Sequence, residues 1–470
     1  RSYYTSSNTL NMKIEQLYTG CLAEAAYYIE SEGEAIIIDP LRDIQPYLKK
    51  LEHNKASLKY ILETHFHADF VSGHIDLAEA TGATIVYGPN AETTFKSHIA
   101  HDGEKIKLGK LIIEVLHTPG HTLESSCYLL YDEQGNKHAL FTGDTLFIGD
   151  VGRPDLAIKS NVTKEDLAGM LFESLRTKIK TLPDSILIYP AHGAGSACGK
   201  NMSKDTFDTL GNQKAINYAL KATDKNTFIQ EVLDDLQPAP SYFSMNALMN
   251  KEGYANVTDV IRQGSIALDV QAFENMQQQT HALLLDTRKP EDFKKGFVPG
   301  AINIGLDGQF APWSGVLIGT TDQPILLITD EGKEEETIIR LSRVGVDLVI
   351  GYLKGGYNAW AAAKKPKDII KTISADEFVK TLSSETNIID VRRESEFEVE
   401  HLEAAKNLPL DYINDWTSNL DKSKTYYIHC AGGYRSVITE SILKSRNFTN
   451  IIDVEGGYGA IKTALENKKN

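Results

Sequence analysis

The sequence is poor in cysteine, and its four cysteines, Cys21, Cys127, Cys198 and Cys430, are widely spaced. They form no Cys-x-x-Cys motif, so neither a disulfide framework nor a structural zinc site is predicted. The chain also lacks an apolar run of the ~20 residues that a membrane span requires. It has no excess of positive charge: 49 Lys and Arg stand against 64 Asp and Glu, for a net charge of -15. We therefore expect a cytoplasmic protein of a reducing compartment, with neither nucleic acid nor membrane as a partner.

The length of the chain predicts several folded domains. At roughly 100 to 200 residues per domain, 470 residues correspond to about three domains. Hydrophobic residues make up 41% of the chain and charged residues 24%, which is ordinary for folded domains. The first eleven residues lack the apolar stretch of a secretory signal and are left out of the fold prediction. The oligomeric state stays open, and a homo-oligomer is compatible with the sequence.

Short apolar strands alternate with helical stretches in the first half of the chain, which predicts mixed α/β layers. The strand patterns cover residues 34–39, 60–64, 111–116, 139–142 and 186–189, and the helical patterns cover 44–54, 164–180 and 210–236. The breaker cluster Gln237-Pro238-Ala239-Pro240 follows the last helical pattern and suits the edge of a domain.

The second half of the chain contains an internal repeat. Asp286-Thr287-Arg288 recurs as Asp390-Val391-Arg392, and Gly355-Gly356-Tyr357 recurs as Gly456-Gly457-Tyr458, at offsets of 104 and 101 residues. Each copy alternates strands, loops and helices in the manner of a parallel sheet. We therefore predict three α/β domains, at residues 12–245, 246–366 and 367–470, with a linker at 364–371.

Histidine and aspartate follow four of the predicted strands in the first domain. They lie in His65-Phe66-His67-Ala68-Asp69, Thr118-Pro119-Gly120-His121, Thr142-Gly143-Asp144 and Pro190-Ala191-His192. Side chains at the end of a strand, where a loop begins, are well placed to form a functional site. Because four such strand ends are hard to obtain by chance, the pattern predicts a metal site.

These segments read H-x-H-x-D, T-P-G-H, T-G-D and P-A-H-G, and this order resembles the metallo-beta-lactamase superfamily over about residues 13–236. The resemblance implies an αββα sandwich with metals at one edge of its sheets. Hydrolases of the superfamily such as glyoxalase II read H-x-H-x-D-H, whereas this chain has Phe70 in the last position. Phenylalanine cannot ligate a metal, so the second metal site loses a ligand, which leaves His65, His121 and Asp144 as a single set.

Two histidines and one carboxylate make the facial triad that suits non-haem Fe(II) and oxygen activation. Phe70 and the segment Gly149-Asp150-Val151-Gly152-Arg153-Pro154-Asp155 resemble persulfide dioxygenases. This resemblance implies one Fe(II) per chain, at which a thiol persulfide and O2 give sulfite and thiol. His67, Asp69 and His192 would then orient ligands or substrate. Zinc stays open as the alternative metal.

Two further residues of this domain have two interpretations each. Arg153 is a candidate for binding a substrate carboxylate or for a structural ion pair. Cys198 is a candidate for handling sulfur at the mouth of the site or for packing as a small buried side chain. Cys21 and Cys127 are assigned to packing.

A cysteine loop lies near the end of the chain. Cys430 follows the apolar residues 426–429 and precedes Ala431-Gly432-Gly433-Tyr434-Arg435-Ser436 and a helical stretch. At a helix N-terminus, a glycine-rich nest of backbone N–H groups and Arg435 favour a thiolate over a thiol. We predict Cys430 and Arg435 as catalytic residues, with Ala431, Gly432, Gly433, Tyr434 and Ser436 as the cradle for a persulfide or a sulfur oxyanion.

The C-x-G-G-x-R-S loop, with Asp390-Val391-Arg392 upstream, resembles the rhodanese family over about residues 372–462. The resemblance implies that Cys430 takes sulfane sulfur and hands it to sulfite or a thiol. The first copy of the repeat has Asp330 at the position of Cys430, followed by Glu331-Gly332-Lys333-Glu334-Glu335-Glu336. Without a sulfur nucleophile and with four glutamates that repel anions, this copy is predicted to be catalytically silent, with a spacer or docking role.

The whole pattern predicts a persulfide dioxygenase fused to a silent and an active rhodanese domain, acting in hydrogen sulfide metabolism. The first domain would oxidise a low-molecular-weight thiol persulfide, such as that of glutathione, to sulfite. Cys430 would interconvert persulfide plus sulfite with thiosulfate plus thiol, in a direction that the sequence leaves open. One alternative is a zinc-dependent thioester hydrolase of the glyoxalase II type, against which Phe70 speaks. The other is a non-catalytic protein that relays sulfur through Cys430.

Overall fold

The computed structural model describes residues 4–9, 12–157, 161–319 and 322–469. The chain divides into two compact units, Arg1–Val257 with Ser342–Gly345 and Thr258–Leu341 with Val346–Asn470. The domain boundaries after residues 245 and 366 stay predictions. No helix within the described ranges is long and apolar enough to cross a membrane.

Two mixed β-sheets form the centre of the first unit. The first sheet joins, in spatial order, β1 Tyr4–Thr9, β2 Met12–Thr19, β3 Glu24–Ser31, β4 Glu34–Ile38, β5 Ser57–Leu62, β6 Thr84–Tyr87 and β7 His98–Ile99. The second consists of β8 Lys105–Leu108, β9 Leu111–His117, β10 Ser126–Tyr131, β11 Lys137–Gly143, β12 Leu187–Pro190 and β13 Asp208–Thr209, also neighbours in that order. Strand β1 lies in the segment that the fold prediction left out; residues 1–3, 10 and 11 of that segment lie outside the described ranges.

Helices cover the outer face of each sheet. They are α1 Gln45–Asn54, α2 His74–Thr81, α3 Lys164–Ser174, α4 Leu210–Ile216, α5 Tyr218–Lys221, α6 Lys225–Leu233 and α7 Phe243–Glu252. A buried cluster that includes Ile36, Leu62, Val115 and Phe141 fills the space between the two sheets. Separate clusters pack α1 and α2 on the first sheet and α3 to α6 on the second. These layers confirm the predicted αββα sandwich.

Two of the predicted helices end earlier than the sequence pattern indicates. The helix predicted over 164–180 is α-helical only to Ser174 and continues as a π-helical turn over Leu175–Ile179. The pattern over 210–236 forms three short helices instead of one. Asn217 and Asp224 interrupt it because each accepts a backbone hydrogen bond and caps the next helix, from Ala219 and Thr227 respectively.

The second unit contains two parallel sheets of the same topology, which confirms the predicted repeat. The first copy comprises α8 Val257–Gly264, β14 Ala267–Leu268, α9 Val270–Thr280, β15 Leu283–Asp286, α10 Pro290–Lys295, β16 Ile302–Asn303, α11 Phe310–Leu317, β17 Ile325–Ile328, α12 Glu334–Ser342, β18 Val349–Leu353 and α13 Gly356–Ala362. The second comprises β19 Lys371–Ile373, α14 Ala375–Thr381, β20 Ile388–Asp390, α15 Glu394–Val399, β21 Ala405–Asn407, α16 Ile413–Trp416, β22 Tyr426–His429, α17 Tyr434–Ser445, β23 Ile451–Val454 and α18 Gly457–Lys469. The strand orders are β14-β18-β17-β15-β16 and β19-β23-β22-β20-β21.

Candidate metal centre and cysteine site

Three buried side chains meet at the ends of strands in the first unit. His65 follows β5, His121 follows β9, and Asp144 follows β11. Asp144 Oδ2 lies 3.7 Å from His65 Nε2 and 3.3 Å from His121 Nε2. The ligand atoms of all three lie within 4.8 Å of one another, so the residues that the sequence predicts as metal ligands are brought together.

Hydrogen bonds on the far side of each imidazole turn Nε2 towards Asp144. His65 Nδ1 lies 3.0 Å from Thr64 Oγ1, which donates to Asp39 Oδ2. His121 Nδ1 donates to the carbonyl of Arg153 at 2.9 Å. Gly152 makes this approach possible, since a Cβ there would lie 1.9 Å from the Asp144 carbonyl oxygen. Both rings are therefore held in the orientation that metal-bound histidines adopt.

The charges of these groups suit a metal ligand set. Burial, assisted by His67, holds the pKa of His65 well below its ordinary value, so its imidazole is neutral. Burial opposes ionisation of Asp144, but His192, His65 and His121 outweigh it and hold the pKa of this carboxyl well below its usual range. Neutral imidazole nitrogens and an ionised carboxylate are the forms that bind metal.

The donor set fits a metal ion. Asp144 Oδ2 is buried and has no hydrogen-bond partner among the described residues, although two imidazole Nε2 atoms face it. An unpaired buried carboxylate oxygen is costly unless a cation or a donor satisfies it. Two histidines and one carboxylate suit both Fe(II) and Zn²⁺.

A second buried group lies beside the triad and contains Asp69, His192 and Cys198. His192 joins the two groups, with Nδ1 2.8 Å from Asp144 Oδ1 and Nε2 2.7 Å from Asp69 Oδ2. Burial lowers the pKa of His192, but the two carboxylates outweigh it and raise that pKa well above its ordinary value. Burial and the Asp69 and Asp144 carboxylates raise the pKa of the Cys198 thiol. The Cys198 side chain thus lies beside the candidate metal centre and is also buried.

His67 points away from the triad. Its Nε2 lies 3.0 Å from Asp39 Oδ1 and 3.6 Å from Glu63 Oε2. The ring of Phe70 lies 4.4 Å from that of His67 and is fully buried. The aromatic ring that replaces a histidine in the family motif is therefore buried against the His67 imidazole.

The Arg153 side chain forms an ion pair rather than an open anion-binding site. Its guanidinium makes two bonds of 2.7 Å to Asp155 and another of 2.7 Å to the carbonyl of Gln237. Of the two interpretations of this residue, the structure shows the structural ion pair. Its backbone carbonyl is the part that contacts a candidate ligand, His121.

Three residues that contribute to this site were missed in the sequence. Thr64 and Asp39 connect to His65, and Asn250 donates to the carbonyls of His67 and Phe70 at 2.8 Å each. Asp39 directly follows β4, so the strand-end pattern that identified the other residues also applies to it. Nothing in the sequence links α7, which carries Asn250, to a loop about 180 residues earlier.

Replacing Thr64 with valine is expected to weaken metal binding by about 10- to 100-fold, the cost typical of losing an outer-shell partner. Valine has nearly the shape of threonine but removes the hydroxyl that connects Asp39 to His65 Nδ1. Competition with a chromogenic chelator measures the affinity. Thr81→Val is the matched control, because that hydroxyl bonds only backbone groups, the carbonyl of Leu77 and the N–H of Ala83, and contacts none of the candidate ligands. Equal affinities in the two variants would contradict the role given to Thr64.

The cysteine loop of the second unit closes around Cys430. The Cys430 side chain is buried at the end of β22, and the N–H of Gly433 donates to its Sγ at 3.0 Å. Gly433 has a φ of 107° and begins α17. Ser436 Oγ lies 3.7 Å from the same sulfur. The loop thus places the sulfur at a helix N-terminus, where one backbone N–H donates to it.

Arg435 is turned onto a carboxylate. Its guanidinium makes bonds of 2.6 and 2.9 Å to the two oxygens of Glu396 in α15. Burial lowers the pKa of Arg435, but the bond to Glu396 outweighs this effect and raises the pKa, so the guanidinium is ionised. Arg435 therefore fixes one side of the loop in this structure, and its positive charge is shared with Glu396.

The equivalent loop of the first copy carries acidic side chains and no cysteine. Asp330 is exposed, and Lys333 pairs with Glu336 at 2.8 Å. Three glutamates, Glu334 to Glu336, occupy the first turn of α12, where the helix dipole favours negative side chains. The loop therefore carries negative charge at the helix N-terminus and has no sulfur nucleophile.

Comparison with known proteins adds the following. The model of the metallo-beta-lactamase superfamily matches residues 19–192, and that of the rhodanese-like domain matches 269–363 and 374–464. A probable hydroxyacylglutathione hydrolase of Schizosaccharomyces pombe is 32% identical over 218 residues, which cover 45% of this chain and 78% of that protein. A cytoplasmic hydroxyacylglutathione hydrolase of Arabidopsis thaliana is 31% identical over 38% of this chain and 67% of that protein. The crystal structure of a metallo-beta-lactamase from Staphylococcus aureus has a TM-score of 0.65 and 32% identity, and the match covers 73% of this chain and 99% of that one.

Proposed function

This chain belongs to the metallo-beta-lactamase superfamily and carries rhodanese-like domains in its second half, and from this premise we propose that it is a persulfide dioxygenase coupled to a rhodanese sulfurtransferase. The observation that carries the proposal is the buried set of His65, His121 and Asp144, together with the buried Phe70 in place of a further ligand of the family motif. Fe(II) held by these residues would supply the oxygen-activating chemistry.

The proposed first reaction converts a thiol persulfide, O2 and water into thiol and sulfite. Two oxygen atoms come from O2 and one from water, and the terminal sulfur is oxidised while O2 is reduced. The protein residues hold the reacting groups and exclude bulk water. Asp69, His192 and Cys198 form a second buried group beside the triad, and we assign the persulfide to that side.

The proposed second reaction uses Cys430. A persulfide on Cys430 transfers its outer sulfur to sulfite, which leaves as thiosulfate while Cys430 returns to the thiolate. The nest of backbone N–H groups at the start of α17 would stabilise the anionic sulfur in both forms. Because sulfite is the product of the first reaction, the two reactions can run in sequence within one chain. The reverse reaction, from thiosulfate to Cys430 persulfide, uses the same residues.

The persulfide carrier is proposed to be a small thiol such as glutathione. Two of the relatives reported above are named as hydroxyacylglutathione hydrolases, whose names specify a glutathione conjugate. A thioester of glutathione and a persulfide of glutathione share the whole peptide part of the molecule. A site that binds one therefore has contacts suited to the other.

These relatives also support a second candidate function, zinc-dependent hydrolysis of a glutathione thioester. Phe70 speaks against it, since the fully buried ring cannot complete a second metal site. A third candidate, a sulfur relay without turnover, requires only Cys430 and leaves the buried donor triad without a purpose.

Parallel assays of iron-loaded and zinc-loaded protein distinguish these candidates. With glutathione persulfide, we expect the iron form to consume O2 and produce sulfite or thiosulfate, whereas the zinc form does neither. With a glutathione thioester, we expect hydrolysis by neither form. Thioester hydrolysis without O2 uptake would instead establish the hydrolase. A stable Cys430 persulfide with no turnover of either substrate would establish the relay.

A further inference from the structure

The two copies of the repeat pack through the helix that carries the catalytic loop. Val437 of α17 is fully buried within the hydrophobic core cluster of the first copy. Ser441 of the same helix accepts a hydrogen bond from the backbone N–H of Asn303 in β16 at 2.9 Å. Tyr434, at the start of α17, donates from its hydroxyl to the carbonyl of Gly305 at 2.7 Å. The silent copy therefore supports the helix whose N-terminus holds Cys430.

A chain of polar contacts leads from Cys430 into the interior. Cys430 Sγ lies 3.7 Å from Ser436 Oγ, within the reach of an S–H donor. Ser436 Oγ in turn donates to Asp453 Oδ1 in β23 at 3.0 Å. Ser436 is fully buried and Asp453 is 1% exposed, so bulk water does not compete for these bonds.

The far oxygen of Asp453 is bound by a residue of the silent copy. Lys294 of α10 donates to Asp453 Oδ2 at 2.8 Å, and its side chain is 11% exposed. This ion pair compensates a carboxylate charge that has no access to bulk water. The contact joins the two copies of the repeat directly behind the catalytic loop.

A second buried carboxyl group completes the cluster. Glu440 lies one helical turn after Ser436 on the same face of α17, and it is fully buried. Burial and the Asp453 carboxylate hold the pKa of Glu440 well above its usual range, so it is a neutral acid that can donate to Asp453. Asp453 thus binds Lys294 and lies close to the neutral carboxyl group of Glu440.

The corresponding positions of the silent copy lack this arrangement. Helix α12 has Glu336 and Arg340 where α17 has Ser436 and Glu440, and these two side chains pair with each other at 3.5 Å. Of the two loops, only the one that carries a cysteine therefore has this buried polar cluster behind it. Such a distribution ties the cluster to the chemistry of Cys430 and not to the fold that both copies share.

Given the proposed sulfurtransferase function, we propose that Ser436 and Asp453 form a proton relay that receives the Cys430 thiol proton. Lys294 of the silent copy positions this relay and compensates the negative charge of Asp453. The thiol proton passes to Ser436 Oγ as the Ser436 hydroxyl proton passes to Asp453 Oδ1, which leaves a Cys430 thiolate and a neutral Asp453. The thiolate then attacks the outer sulfur of thiosulfate, and the S–S bond breaks with release of sulfite.

Several other charged and titratable groups lie around the loop. Arg435 is paired with Glu396 on the outer side of the loop. His429 is buried beneath it, with Nε2 3.9 Å from Asp390, and burial lowers the pKa of His429. Arg392 pairs with Asp390 at 2.7 Å, and Glu455 adds negative charge near Lys294. Lys294 is the cation that bonds the acceptor carboxylate itself.

Alkylation of Cys430 in the full-length protein tests the relay without any sulfur substrate. The rate of carboxymethylation by iodoacetamide is followed from pH 5 to pH 10 on the Cys430 peptide by mass spectrometry. In Lys294→Met, Asp453 becomes neutral and can no longer accept the proton, so we expect the midpoint to rise by about one pH unit and the rate at neutral pH to fall about tenfold. Lys294→Arg, which keeps the charge, is expected to restore most of the rate.

Lys444→Met is the matched control, since Lys444 pairs with Asp368 at 2.9 Å in the same unit and is similarly buried. It is expected to leave the midpoint unchanged. The double variant of Lys294→Met with Asp453→Asn removes both buried charges and so avoids an unpaired one. It is expected to show the same shift as Lys294→Met alone, because both changes interrupt one relay.

A folded Lys294→Met or double variant that alkylates with the wild-type midpoint would overturn the relay. Failure of the sulfurtransferase proposal gives a different result. In that case the variants shift the alkylation midpoint as expected, but the wild-type protein transfers no sulfur from thiosulfate to cyanide.

Discussion

Replacement of His121 with alanine is expected to reduce persulfide-dependent O2 uptake by at least about 100-fold. Loss of an outer-shell partner in metal sites already costs 10- to 100-fold, and His121 would be a direct ligand. Its Nε2 lies 3.3 Å from Asp144 Oδ2, and no other histidine in the described ranges occupies its place in the triad. An oxygen electrode with glutathione persulfide as substrate measures the rate, and elemental analysis measures the bound iron.

His138→Ala is the matched control for this prediction. His138 lies in β11 of the same unit and belongs neither to the triad nor to the neighbouring group of Asp69, His192 and Cys198. We expect it to retain both iron and O2 uptake. If His121→Ala consumed O2 as fast as His138→Ala, the assignment of the triad as the oxidation site would be wrong.

Replacement of Cys430 with serine is expected to separate the two proposed activities. Sulfur transfer from thiosulfate to cyanide should fall by at least about a thousandfold, since the nucleophile is lost and serine is a much weaker one at neutral pH. Oxygen uptake should stay near the wild-type rate because the metal ligands are in the other compact unit. The oxidised product should change from thiosulfate to sulfite, which ion chromatography resolves.

Cys21→Ser provides the control for cysteine replacement as such, because Cys21 lies outside both candidate sites. Thiosulfate formation by Cys430→Ser protein would contradict the role of Cys430. Residual sulfur transfer that disappears on Asp330→Asn would show in addition that the first copy of the repeat is not silent.

The fold followed from local sequence patterns to a large extent. Strands β4, β5, β9, β11 and β12 lie where short apolar runs end in turn or site residues, and the repeat was visible in motifs such as Asp286-Thr287-Arg288. The pattern over 210–236 was misleading because its apolar spacing is helical throughout. Only the structure shows that Asn217 and Asp224 bond the backbone and start new helices.

The candidate sites were predictable where a residue type and its strand end coincide. His65 and His67 are two residues apart on one loop, yet one faces Asp144 and the other faces Asp39 and Glu63. Spacing alone does not determine how a loop turns, so only the family resemblance, and not the spacing, separated their roles. Contacts between distant segments could not be predicted either. Lys294 binds Asp453, which lies 159 residues later in the chain, and no local pattern connects the two.

Oxidation of glutathione persulfide under ¹⁸O2 is the most direct test of the central claim, that the triad of the first unit supports a dioxygenase. Iron-loaded Cys430→Ser protein is used, so that sulfite accumulates, and the sulfite is trapped at once to prevent exchange with water. The proposed reaction predicts two ¹⁸O atoms in each trapped sulfite. Sulfite without ¹⁸O, or consumption of the persulfide with no O2 uptake, would contradict it.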